Sequence, residues 1–142
     1  MSRIEQLIAE LCPDGALFRT LAEVTGRGEQ IRWAEVGDEG FQYIDLTSVD
    51  RVTRRIGETA TITAGAAPSR ARQIVRAGDV IFATTRPTPM RVAVIAQEYD
   101  GQIASTGYCI LRPNQDEILT NFLAHVLGTE RFRQYVEENQ VY

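Results

Sequence analysis

Lysine is absent from this sequence, histidine occurs once and cysteine only twice, and each shortage removes a class of function. Two cysteines, Cys12 and Cys109, cannot form a disulfide framework, and nothing in the chain implies export. Neither stands at a metal-ligand spacing from His125, so no metal site is expected. No apolar run approaches the ~20 residues of a membrane span, and the N-terminal stretch has no signal-peptide core. A reducing cytoplasm is the expected setting. Catalytic signatures are missing too: there is no Gly-x-Ser-x-Gly elbow, Walker loop, HExxH or Cys-x-x-Cys. A methyltransferase needs a glycine-rich cofactor loop and a tetrapeptide such as Asn-Pro-Pro-Tyr, and this chain has neither. His125 falls in an apolar-periodic stretch beside Val126 and reads as a surface or partly buried side chain. Asp45, Asp50 and Asp79 lie next to turns or strand ends, where capping accounts for them. The expectation is a non-enzymatic domain with no cofactor of its own.

What is present is arginine, unevenly placed. The net charge of −4 conceals three zones. Residues 1–50 carry four arginines against ten acids, residues 51–112 nine against four, and residues 113–142 two against five. A basic middle is flanked by acidic ends. Screening confines charge effects to about 10 Å, so a local basic face can bind phosphate while acids sit further away. Arginine's planar fork suits bidentate contact with phosphate or guanine edges. A GC-rich genome explains the missing lysine equally well, so the location of the arginines carries more weight than their type.

At 142 residues the chain fits one domain, spanning 1–142, that buries about two thirds of its unfolded surface. Residues 2–11 predict a short helix capped by Ser2, with Ile4, Leu7, Ile8 and Leu11 as its apolar stripe. Residues 18–24 predict a further helical turn. Strands are expected at 31–36, 42–46 and 59–64, residues 47–54 are irregular, and 65–73 form a polar connection. Two short apolar runs, 80–83 and 91–95, flank the loop Thr84-Thr85-Arg86-Pro87-Thr88-Pro89-Met90. Each proline pushes the residue before it, Arg86 or Thr88, towards extended geometry. Such a loop presents a guanidinium and a hydroxyl with little freedom left to lose on binding. A stiff surface loop with an ion-paired arginine is the plainer reading.

A strand over 102–112 is interrupted at Ser105-Thr106-Gly107, where glycine implies a bulge or a close backbone approach. From 116 to 139 the apolar period becomes 3.6, with Gly128-Thr129 as a break between two helices. The order predicts an α+β fold: a twisted β-rich core with a short N-terminal helix and C-terminal amphipathic helices. Its loops collect the side chains that anchor phosphate or read base edges. Arg70, Arg72 and Gln73 occupy one; Thr85, Arg86 and Thr88 another, closed by Arg91; Ser105, Thr106 and Tyr108 a third. Tyr43 and Thr47 lie near the end of the 42–46 strand. These are the candidate DNA-binding residues; the same set also suits a protein-interaction module.

The stretch PSRARQIVRAGDVIFATTRPTPMRVAVI, residues 68–95, resembles the core of a target recognition domain from the specificity subunit of type I restriction-modification enzymes. It runs from a Ser-Arg-Ala-Arg loop through Gly-Asp and an apolar strand to Thr-x-Arg-Pro and a second strand. The opening IEQLIAELCPDGALFRTLAEVTGRG, the segment YIDLTSVD, and STGYCILRPN with its helical tail agree in order, so the likeness covers nearly the whole chain. It implies a non-catalytic subunit reading half of a bipartite double-stranded DNA target. Modification (methyltransferase) subunits then methylate adenine using S-adenosylmethionine, and a restriction subunit cleaves. S-adenosylmethionine, ATP and Mg2+ are expected only on those partners. Arg70 and Arg72 match the loop before Gly-Asp, and Thr85, Arg86 and Thr88 the loop after the first strand. Arg70 and Arg86 recur in the pattern, so Arg70 is expected to brace the fold or hold phosphate rather than read a base, while for Arg86 both roles stay open. The chain stops before the proline-rich segment and helical spacer of a complete subunit, as expected of a fragment or a half-subunit. An apolar face on the last helix would favour a homo-oligomer. Two other readings stay open: an assembly domain that docks on methylation subunits without reading DNA, and a small hydrolase using Cys12 or Cys109.

Overall fold

The computed structural model describes residues 2–15, 17–84 and 91–139. Helix α1 (Arg3–Leu11) begins with a reciprocal cap: the Ser2 hydroxyl accepts from the Glu5 amide, and the Glu5 carboxylate accepts from the Ser2 amide. Its stripe of Ile4, Ile8 and Leu11 is exposed, so capping rather than burial defines this helix. Thr20 caps the single turn α2 (Leu21–Val24), whose Val24 is buried. Strands β1 (Thr25–Gly26) and β2 (Glu29–Gln30) follow.

The strand expected over 31–36 does not form. Trp33–Glu35 is a 3-10 turn, because the Trp33 indole turns inward. Its N–H donates to the Ala71 carbonyl at 2.8 Å, and its ring meets Phe41 edge to face. Next come β3 (Phe41–Ile44), β4 (Ala60–Ile62) and β5 (Ala71–Ile74). The last lies in the stretch expected to be a polar connection. Its sequence, ARQI, carries little apolar signal, and pairing with neighbours on both sides makes it a strand. Strands β6 (Val80–Ala83), β7 (Val92–Val94), β8 (Ile103–Ser105) and β9 (Tyr108–Pro113) precede α3 (Thr120–Leu127) and α4 (Glu130–Glu138). Thr129 caps α4, at the break that Gly128-Thr129 implied.

The strands form two sheets, ordered β1-β9-β6-β7 and β2-β5-β8-β3-β4. The first is antiparallel throughout; the second contains one parallel pair, β3 with β8. The run expected as one bulged strand over 102–112 is thus two strands in different sheets. Gly107 is the close approach: a Cβ there would lie 2.7 Å from Leu46 Cδ2. Strand alternation then builds the layers. Ile81 and Ala83 of β6 face the other sheet, packing with Ile44, Val75, Ala104, Tyr108 and Ile110. Val80 and Phe82 face the helices, packing with Leu123 and Leu127, and Phe132 meets Phe82 edge to face. Tyr43, Ile62, Ala71 and Ile103 form a third cluster beneath Trp33. Helices and strands arranged this way constitute the α+β class expected.

The Gly-Asp pair of the sequence motif is part of this scaffold. Gly78 has φ +90°, a turn conformation glycine adopts without strain. Asp79, only 1% exposed, accepts from the Arg76 amide at 2.8 Å and holds Arg112 through two bonds of 2.9 Å. Arg112 and Arg76 both reach Glu29, at 2.8 and 3.0 Å. This network ties β2 of one sheet to β6 and β9 of the other. Hydrogen bonds from Arg76 and Arg112 hold the Glu29 carboxyl down at about 2.

Candidate nucleic-acid interface

The described residues of the loops singled out in the sequence meet at one end of the two sheets, joined chiefly through main-chain atoms. The Thr106 amide donates to the Arg70 carbonyl at 2.9 Å. The Thr84 amide and hydroxyl both donate to the Gly107 carbonyl, at 2.9 and 3.1 Å. Tyr108 Oη donates to the Asp45 carbonyl at 2.7 Å. Arg91 Nη1 donates to the carbonyls of Leu46 and Val49, at 3.1 and 3.0 Å. Segments 45–49, 69–73, 84, 91 and 105–108 therefore share one hydrogen-bonded end.

Within it the candidate residues divide. Arg70, Arg72, Thr106 and Thr47 are exposed. The Arg70 guanidinium makes no hydrogen bond or ion pair among the described residues, and is therefore no brace of the fold there. Arg72 Nε donates to the Ser69 carbonyl at 2.9 Å, which orients the guanidinium without neutralising it. Thr47 sits in an Asx turn, its amide and hydroxyl donating to the Asp45 carboxylate at 2.7 and 2.9 Å. Thr85, Arg86 and Thr88 lie outside the described residues.

The other five candidates, expected to contact DNA, are buried or bonded within the fold. Tyr43 is buried in the cluster beneath Trp33. Gln73 Nε2 donates to the carbonyls of Ser105 and Tyr108, at 2.8 and 2.9 Å, and so clamps the crossing between the sheets. Ser105 is buried, and its hydroxyl accepts from the Gly107 amide. Tyr108 is buried as well; desolvation pushes its phenol above the ordinary tyrosine range, so it stays a neutral donor. Arg91 spends Nη1 on two carbonyls, and its Nε is buried without a partner among the described residues. Gln73, Ser105, Tyr108 and Arg91 bond to the loops from within, and Tyr43 packs in the core.

Asp45, expected to cap a turn, does so: its carboxylate accepts from Thr47. Leu46 and Thr84 contribute without having been among the candidates. Leu46 against Gly107 is a packing relation between distant residues, which no local pattern announces. Among the described residues no group of three His, Cys, Asp or Glu side chains could hold a metal ion. Burial raises the Cys109 thiol, the wrong direction for a nucleophile. His125 is exposed on α3. No described helix is long and apolar enough to cross a membrane.

Braced loops thus carry outward guanidinium and hydroxyl groups at one end of the sheets. Comparison with solved structures shows what this arrangement is similar to. The HsdS subunit from Thermoanaerobacter tengcongensis superposes with a TM-score of 0.71 at 38% identity, over 75% of this chain and 27% of that one. A chain in a structure addressing complex assembly and conformational transition of the type I R-M system superposes at 0.79 with 34% identity, over 85% and 31%. The HindI specificity subunit of the type I restriction enzyme of Haemophilus influenzae (strain ATCC 51907 / DSM 11121 / KW20 / Rd) is 25% identical over 68 residues, 48% of this chain and 15% of that protein. No family model matches. The likeness to type I specificity subunits thus holds in sequence and in fold, and this chain spans under a third of each relative.

Proposed function

We propose that residues 1–142 form one target recognition domain, reading half of a bipartite double-stranded DNA sequence for a type I restriction-modification complex in the cytoplasm. The carrying observation is the cross-loop bond from the Thr106 amide to the Arg70 carbonyl, which sets two exposed polar side chains side by side on a rigid base. Arg70, Arg72, Thr47 and Thr106 contact the DNA, together with Thr85, Arg86 and Thr88. The domain performs no chemistry: modification subunits carry S-adenosylmethionine and methylate adenine, and a restriction subunit with ATP and Mg2+ cleaves.

Titration of the chain with duplex DNA over a range of salt tests this. Phosphate contacts make log K fall linearly with log salt, by about 0.9 per phosphate neutralised. A second reading has its own support: the exposed stripe of α1 suits docking on methylation subunits without DNA reading. Exposed Leu119, Phe122 and Tyr135 likewise give self-association through the C-terminal helices a surface. Either of these alone would leave salt-sensitive duplex binding absent.

A further inference from the structure

The stretch 50–55, irregular in the sequence, is a tightly closed hairpin. Val49 and Ile56 form an antiparallel bridge. The Asp50 amide donates to the Arg55 carbonyl, and the Arg54 amide to the Asp50 carbonyl, both at 2.9 Å. The Asp50 carboxylate accepts the amides of Val52 and Thr53, both at 2.8 Å. Those two bonds, with Arg91 nearby as a weaker cause, hold its carboxyl below the usual range. The one acid in the hairpin is thereby committed to the backbone and leaves the arginines unpaired. Arg54 takes φ +58° and extends Nη2 towards the Gly128 carbonyl at 3.4 Å, bringing the hairpin against the end of α3. Val52, at the tip, is 89% exposed.

The Arg51 and Arg55 side chains are left exposed, and neither guanidinium makes a hydrogen bond or ion pair among the described residues. Glu58 lines the same shallow concavity as Arg51 but makes no ion pair with it. Arg51 lines that concavity with Thr47, while Arg55 lines a separate one with Glu98 and Asn121, so the two side chains border different faces of the hairpin. The hairpin also adjoins the recognition end. Arg91 is bonded to the Val49 carbonyl at its base, and Thr47 lines the concavity with Arg51.

We infer that the 50–55 hairpin is a second DNA-contacting element, with Arg51 and Arg55 gripping backbone phosphates beside the site read by the loops. This rests on the function proposed above and extends its footprint to residues that no local pattern marks. Phosphate contacts fix register and carry no sequence information, so the hairpin sets affinity and the loops set choice.

The test uses 20-base-pair duplexes of several unrelated sequences and compares wild type, R51Q/R55Q, R51K/R55K and R70A over a range of salt. The neutral double variant should lose about two phosphate contacts, flattening the slope of log K on log salt by about 1.8 for every sequence. The lysine variant should keep the wild-type slope. An unchanged slope in R51Q/R55Q, with R70A still weakened, overturns the hairpin and leaves the recognition loops standing. A flattened slope in R51Q/R55Q with R70A unaffected supports the hairpin and removes Arg70 from the interface. Wild-type protein that binds no duplex in a salt-dependent way sinks both. Equal far-ultraviolet circular dichroism and melting temperature for all four proteins confirm that these exposed changes leave the fold intact.

Discussion

Arg70 is the clearest case of a side chain held ready by its own backbone. Its carbonyl is engaged by Thr106, while its guanidinium meets nothing among the described residues. Replacing it with alanine should therefore leave unfolding unchanged and weaken DNA binding. If Arg70 reads a guanine, the loss should be about 1–3 kcal/mol and confined to targets with that base. A loss uniform across sequences assigns it to phosphate. The same comparison for Arg86→Ala places the other arginine of the motif. Gly107 carries the opposite expectation. A methyl group there would press on Leu46 at 2.7 Å, so Gly107→Ala should cost about 1–2 kcal/mol in denaturant unfolding. It should also weaken binding, because the Gly107 carbonyl anchors Thr84.

At the scale of elements, the Asp79–Arg112–Glu29–Arg76 network joins the sheets. Asp79→Asn keeps an acceptor for the Arg76 amide but removes the charge facing Arg112. The cost should be about 3 kcal/mol, since a nearly buried ion pair loses one partner while Arg112 still reaches Glu29. Acid tests the same network. Glu29 is held down from 4.5 to about 2, so its contribution is complete above pH 4.5 and disappears as pH falls through about 2. Urea unfolding should show Glu29→Gln less stable than wild type at neutral pH, with the gap closing towards pH 2. The elements that sequence reading placed well, such as β6 and the split C-terminal helices, announce themselves through local apolar pattern and capping. Those it misplaced depend on distant partners. Trp33 leaves its strand for the Ala71 carbonyl, and β5 is a strand because β2 and β8 flank it. The site divides similarly: loop positions were legible, but whether Tyr108 or Ser105 points in or out is decided by the other sheet.

For the whole molecule, charge is the governing quantity. A chain of net −4 would have to bind a polyanion through a local face, and residues 51–112, with nine arginines against four acids, are where the proposed function puts it. Binding should weaken steeply with ionic strength despite a sequence pI near 5.0. Sequencing adenine methylation in cells with and without the locus should reveal a bipartite motif that vanishes with it. If the motif is lost while the purified chain binds duplex DNA in no salt-dependent way, assembly on methylation subunits is its role instead.

The braces at the loop end share one habit. Tyr108, Gln73, Arg91 and Thr84 all fasten onto peptide oxygens, those of Asp45, Ser105, Tyr108, Leu46, Val49 and Gly107. A peptide oxygen is the same whatever residue carries it. Outward positions such as Thr47, Arg70, Arg72 and Thr106 can thus be rewritten without loosening these fastenings, so that, on the proposed function, a new target would evolve on an unaltered frame.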